Sequence, residues 1–192
     1  MIEIYLLNIQ DLEVKDYVNN IPDNFLNQVN KYNEENQRKR SFFSWYLLYL
    51  KLKMRNIDVG NLKVNLNANG KPLIEGIHFN LTHSHNLVAL ALANEEVGID
   101  LEYVEFKDNS KLAKKIMTDE EYNKSLTGDI CFYMIWTKKE AYLKRKGLAL
   151  NLVFDKELKL EDVATHLIKV GEDNYYLSVS PSKYKLEFVS LD

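Results

Sequence analysis

Two strand-like runs lie three residues apart, and they limit what this chain can fold into more than any other stretch. "LVALALA" at 87–93 is apolar throughout. It is short enough for one strand and too uniform for a surface one. After Asn94-Glu95-Glu96 comes "VGIDLE" at 97–102, which alternates. A strand turns successive side chains to opposite faces, so Val97, Ile99 and Leu101 share one face and Gly98, Asp100 and Glu102 the other. The short polar connection predicts an antiparallel hairpin over 87–102. It also raises a chemical question, because two carboxylates on one face of a short strand repel each other.

The rest of the pattern is mixed. "IEIYLLNI" reads as a strand, and "NFLNQVNKY" and "QRKRSFFSWYLLYLKLKMRN" read as helices. In the second helix Phe43, Tyr46, Leu47, Leu50 and Met54 recur at helical spacing. "LKVNLNANGKPLIEG" predicts a hairpin turning at Asn69-Gly70. "IHFNLTHSHN" predicts a strand end running into a polar loop. After Glu102 come helical stretches "SKLAKKIM", "TDEEYNKSL" and "DICFYMIWTKKEAYLKRKG". Thr118 and Glu121 are spaced as a capping box. The last helix should bury Phe132, Ile135, Trp136 and Leu143 and end near Gly147. Strands with turns at 171–174 and 181–182 close the chain. The order implies an α+β fold with helices beside antiparallel sheets. It divides near residues 103–108, giving halves at 1–104 and 105–192. Seven glycines and three prolines in 192 residues leave no room for a flexible linker.

Composition narrows the function. With 28 acids against 25 bases the net charge is −3, which argues against a broad nucleic-acid surface. No apolar run approaches the roughly 20 residues that span a bilayer. The N-terminal run has no basic region before it, so no signal peptide is expected. One cysteine, Cys131, excludes an internal disulfide and fits a reducing cytoplasm. It lies in an apolar stretch and reads as core.

The candidate chemistry begins with Asp100 and Glu102. Their plain reading is surface acids on a sheet edge. The sharper one is a hard-cation site, since Mg²⁺ takes carboxylate oxygens together with substrate phosphates. Glu140 and Lys144 are four apart on a helix and share a face. That spacing commonly makes a surface ion pair, but Trp136 one turn earlier brings this edge toward the core. Glu140 would then complete the acid set while Lys144 faces a phosphate. "NLTHSH" adds Thr82 and His83, whose hydroxyl and imidazole suit a phosphate oxygen better than zinc. Lys71 follows the Asn69-Gly70 turn, and Arg40 and Lys31 flank a basic helix start.

Taken together, "GKP", "FNLTHS", "VGIDLE" and "FYMIWTKKEAYLK" resemble, in order and approximate spacing, the blocks of the Sfp-type 4′-phosphopantetheinyl transferases. The resemblance spans roughly residues 31 to 150, and its last two blocks together are specific. It implies a pseudo-dimer of two similar α+β halves, with coenzyme A and Mg²⁺ between them. It implies transfer of the phosphopantetheine arm of coenzyme A to a serine of an acyl or peptidyl carrier protein, releasing 3′,5′-ADP. Such carriers serve fatty acid, polyketide or nonribosomal peptide synthesis. Carried over by position, Asp100, Glu102 and Glu140 resemble magnesium ligands, and Lys144 the lysine beside the pyrophosphate. Glu140, or a metal-bound water, would be the base. Arg40, Lys71, Thr82 and His83 resemble the coenzyme A contacts, with Lys31 a looser match. A cleft made by two halves of one chain implies a monomer.

Departures from the family pattern are local. Tyr49 stands near a position where the family often has a base. Leu148 and Ala149 replace the lysine and glycine of the usual G-K-G-L. That change motivates the rival of a catalytically silent binder of coenzyme A or carrier protein. A metal-dependent nuclease fits less well, because its acid and lysine often form E-x-K on a strand.

Overall fold

The computed structural model describes residues 1–29 and 34–191. Lys31 therefore lies outside the described residues. The elements follow the sequence pattern in type: β1 (Ile2–Asn8), α1 (Asp23–Val29), α2 (Glu35–Met54), β2 (Val64–Leu66), β3 (Pro72–Ile74), β4 (His78–Ser84), β5 (Leu87–Ala93) and β6 (Gly98–Tyr103). Then come α3 (Ser110–Ile116), α4 (Asp119–Leu126), α5 (Phe132–Lys146), β7 (Ala164–Val170), β8 (Asp173–Ser180) and β9 (Tyr184–Val189). Among the described residues no helix is long and apolar enough to cross a membrane.

Local signals set the helix ends. The Glu34 side chain accepts from the first free N–H groups of α2, at Asn36 and Gln37. Thr118 and Glu121 make both bonds of a capping box at α4. Gly147 closes α5 in the left-handed region, at φ 63°, where a side chain would be strained.

Pairing between strands departs from the sequence reading. The first sheet has order β4-β5-β1-β9, and the second β6-β8-β7. The expected hairpin over 87–102 does not form. β5 has β1 on one side and β4 on the other, so no edge is left for β6. β6 instead pairs antiparallel with β8. The hairpin at this point is β4–β5, turned by His85 at φ 50° and Asn86. Thr82, His83 and Ser84 therefore sit on a strand and not in a loop.

The first sheet is not wholly antiparallel either, because β9 lies parallel to β1. Nor do the sheets divide at residue 104. β6 belongs to the second sheet, and β9 returns from the far end of the chain to the first.

Alternation along β1 and β5 explains the uniform apolar run. Tyr5, Leu7, Val88, Leu90 and Leu92 pack on α2. Ile4, Leu6, Leu87, Ala89 and Ala91 pack on Ile99, Leu101, Leu177 and Val179 of the second sheet. Both faces are covered, so both must be apolar. The layers are α2, first sheet, second sheet and α5. Within α5 the buried residues include Tyr133, Ile135, Thr137, Lys139, Ala141 and Leu143. Phe132 and Trp136, expected in that core, are only partly buried, against Ile116 and Met117. Cys131 is the half-buried N-cap of α5 and not a core residue.

Candidate functional site

Gly98 decides where α5 lies. A Cβ there would overlap the Ala141 carbonyl and the backbone of Arg145, so only hydrogen allows the helix to cross β6 this closely. Gly98, Asp100 and Glu102 share the face that α5 covers. The helix crosses at residues 141 and 145, which hangs Glu140 and Lys144 over the acid pair. The polar face of "VGIDLE" is thus not an open surface. Asp100 is 2% exposed.

The contacts are ionic and close. Lys144 Nζ donates to Asp100 Oδ1 at 2.5 Å and lies 3.2 Å from Glu140 Oε2. Thr82 Oγ1 donates to the same Asp100 oxygen at 3.2 Å. Ser84 Oγ donates to Glu102 Oε2 at 3.0 Å. Among the described residues Asp100 Oδ2, which is buried, has no hydrogen-bond partner.

Charge in this cluster does not balance. Burial pushes the Asp100 carboxyl up from its ordinary range; the Lys144 charge pulls it down, and the Glu140 and Glu102 charges push it further up. Burial likewise raises Glu102, partly offset by the Ser84 hydrogen bond. For Lys144, burial works against the charged form, but the carboxylates of Asp100 and Glu140 outweigh it and hold the ammonium on. Three carboxyl groups, Asp100, Glu102 and Glu140, thus share one lysine, which pairs with Asp100 and Glu140, leaving an excess of negative charge at buried and half-buried positions. Such a place suits a divalent cation. Among the described residues no three His, Cys, Asp or Glu side chains already converge in coordinating geometry. Lys144 fills the space between Asp100 and Glu140. The orphaned Asp100 oxygen and the excess charge nonetheless fit a hard cation.

Asp100, Glu102, Glu140 and Lys144 line one cavity of about 460 Å³, together with Thr82, His83 and the α2 residues Ser41, Ser44 and Trp45. A second cavity of about 490 Å³ is lined by Arg40, His83, His85, Glu102, Tyr103, Lys107 and Tyr133. The two share His83 and Glu102, so they adjoin. The His83 imidazole is depressed to about 4, by burial first and then by the Arg40 and Lys144 charges. His85 stacks on Tyr103, with ring centroids 4.5 Å apart.

Not every residue singled out by the sequence reaches this cleft. Lys71 is committed elsewhere. Its ammonium donates to Glu96 Oε2 at 3.0 Å and to the Val97 and Arg145 carbonyls at 3.3 and 3.4 Å. Its neighbours Gly70 and Pro72 line the wall instead. Thr82 is at the cleft, but its single proton goes to Asp100.

Sequence reading missed two features. Lys139 is 1% exposed, and its ammonium donates to the carbonyls of Ile116 (2.5 Å), Val153 (3.2 Å) and Asp155 (2.7 Å). The available signal was its place four residues from both Ile135 and Leu143, on the buried stripe. Asn80 was passed over too, though Asn80, Thr82 and Ser84 make every second position of β4 polar.

Comparison with known proteins adds an independent line. Residues 96–187 match the model of the 4′-phosphopantetheinyl transferase superfamily. That span contains Asp100, Glu102, Glu140 and Lys144, whereas Arg40 and His83 lie before it. The chain is 33% identical over 149 residues to the 4′-phosphopantetheinyl transferase HetI of Nostoc sp., covering 71% of this chain and 59% of that protein. It is 34% identical over 102 residues to the 4′-phosphopantetheinyl transferase gsp of Aneurinibacillus migulanus, covering 50% of this chain and 43% of the relative. It is 30% identical over 107 residues to the 4′-phosphopantetheinyl transferase Sfp of Bacillus subtilis, covering 52% and 47%. The chain spans about half the length of these relatives.

Proposed function

The chain belongs to the 4′-phosphopantetheinyl transferase superfamily, and on that premise we propose that it moves the phosphopantetheine arm of coenzyme A onto a serine of an acyl or peptidyl carrier protein. The observation that carries the reading is the buried Asp100–Lys144–Glu140 cluster beside Glu102, opening on a cavity that adjoins Arg40 and His83. Carboxylates with excess charge favour a divalent cation, and cationic or neutral donors nearby favour phosphates.

In this reading Asp100, Glu102 and Glu140 would hold Mg²⁺, which when bound would supply positive charge to offset that of the pyrophosphate. The carrier serine Oγ forms a bond to the β-phosphorus. The bond from that phosphorus to the bridging oxygen breaks, and 3′,5′-ADP leaves. Glu140 takes the serine proton, directly or through water. Lys144 remains charged and faces the leaving phosphate, where a fixed cation stabilises the developing negative charge. Arg40 and His83 contact coenzyme A phosphate, His83 as a neutral donor. Two adjoining sheets, each backed by its own helix, support a cleft formed within a monomer. A free, unpaired Cys131 is consistent with a cytoplasmic setting.

The test is direct. The purified chain, Mg²⁺, coenzyme A and a panel of apo carrier proteins are incubated and the carriers weighed. A gain of one phosphopantetheine arm on the serine, abolished by a chelator, is the expected result. Coenzyme A binding with no gain on any carrier would instead identify a silent binder, the outcome to which the Leu148 and Ala149 replacements would then be traced.

A further inference from the structure

β4 and β6 are the facing edges of two different sheets, and they share no main-chain ladder. Three alternate side chains of β4 do that work. Asn80 Oδ1 accepts from Ile99 N at 2.9 Å. Thr82 Oγ1 donates to Asp100 Oδ1 at 3.2 Å. Ser84 Oγ accepts from Tyr103 N at 3.0 Å while donating to Glu102 Oε2 at 3.0 Å. The other face of β4, carrying Phe79 and Leu81, packs with α2. The polar alternation is therefore spent on the seam and on little else.

These bonds bracket the acid pair. The backbone is held on either side of it, at Ile99 and Tyr103, and each carboxylate is held by one hydroxyl. A hydroxyl has one proton to give. Ser84 gives its proton to Glu102 and fills a lone pair with Tyr103 N, so its oxygen is fixed from two sides. Thr82 gives its proton to Asp100 and has none left for a phosphate. Asp100 Oδ1 is then occupied by Thr82 and Lys144, and among the described residues Oδ2 is the oxygen without a partner.

We propose that Thr82 and Ser84 are positioning residues that fix the direction of the Asp100 and Glu102 carboxylates toward a divalent cation, with Asn80 setting the register of β6 against β4. This revises the reading of Thr82 as a coenzyme A contact. It rests on the metal-site part of the proposed function.

The experiment uses Mn²⁺ as the probe. Free Mn²⁺ is followed by electron paramagnetic resonance during titration of the full chain, without coenzyme A or carrier. Thr82→Val keeps the shape and removes the hydroxyl, Ser84→Ala removes the hydroxyl, and Ser84→Thr retains it. Loss of a partner that orients a metal ligand typically costs about 10–100-fold in affinity, and that weakening is expected for Thr82→Val and Ser84→Ala. Ser84→Thr should bind close to the parent. A purely structural role would lower the melting midpoint but leave Mn²⁺ affinity unchanged well below it. Should Ser84→Ala fail to fold, Thr82→Val decides the matter. A parent that binds no Mn²⁺ overturns the metal-site reading itself. A parent that binds, with both hydroxyl-free variants binding equally well, overturns this inference alone.

Discussion

Asp100 combines a charge that calls for water with a position that has almost none. Its neighbours are Lys144, which helps, and Glu140 and Glu102, which do not. The native state therefore holds a proton on this carboxyl more readily than the unfolded chain does. It binds more protons than the unfolded state as pH rises past the ordinary value of 3.8, so this group lowers stability with increasing pH. Asp100→Asn removes that cost. Without divalent metal the variant should melt at or above the parent's temperature, with the gap widening from acid to neutral pH. Its transfer activity should fall at least about 10²-fold, or about 2.7 kcal/mol of barrier. Circular dichroism melts and carrier-protein mass spectrometry check the two halves of this expectation. A variant that transfers like the parent would remove Asp100 from the proposed metal site.

His83 has the opposite sign. Its imidazole is held to about 4 against an ordinary 6.5, so the unfolded state takes up the proton first. Stability contributed by keeping His83 neutral is present above pH 6.5 and is lost as pH falls from there toward 4. His83→Gln should flatten that part of the melting-temperature profile. Profiles that remain parallel for parent and variant between these limits would show that His83 titrates normally.

At the scale of elements, the contact between α5 and β6 depends on one missing Cβ. Gly98→Ala must push α5 away from the strand or strain the backbone at Ala141 and Arg145. Overpacking of this kind costs about 1–3 kcal/mol, and backbone atoms yield less readily than side chains. Because Glu140 and Lys144 ride on the same helix, activity should fall together with the melting midpoint. An alanine variant with parental melting and parental transfer would mean that α5 sits further from β6. Lys139 ties the middle of α5 to the end of α3 and to residues 153 and 155 through carbonyl groups. Lys139→Met keeps much of the stem but abandons three acceptors. It should destabilise by about 1–3 kcal/mol, the cost of buried groups left unpaired, in denaturant melts.

For the whole molecule, exchange of strands between sheets joins what the chain order separates. β9 closes the first sheet from the C-terminal end, and β6 opens the second from the N-terminal side. The core between the sheets draws on Ile4, Leu6 and Ala91 from one and Ile99, Leu177 and Val179 from the other. Neither sheet can unfold without exposing its partner. One cooperative transition is expected. Trp45 lies over the first sheet and Trp136 on α5 over the second, so Trp45→Phe and Trp136→Phe variants each leave one reporter. Coincident denaturation midpoints from the two reporters, each compared with circular dichroism, are the expected result. Separated midpoints would show two independently stable halves.

What the sequence determined by itself was local. Period-two and period-3.6 patterns located the strands and the long helices, because side-chain direction repeats along each element regardless of what packs on it. The capping box at Thr118 and the stop at Gly147 were legible for the same reason. So were the two charged pairs, Asp100 with Glu102 on β6 and Glu140 with Lys144 on α5, since each pair is fixed in spacing on its own element. Tertiary structure alone decided which edges meet. β5 was taken by β1 and β4, so β6 had to pair with β8, hundreds of atoms away along the chain. That choice turned Asn80, Thr82 and Ser84 into a seam, drew Lys71 out of the cleft, and buried Asp100 under a helix. Hydrogen-bond partners between distant edges depend on packing of the whole chain, and no local spacing encodes them.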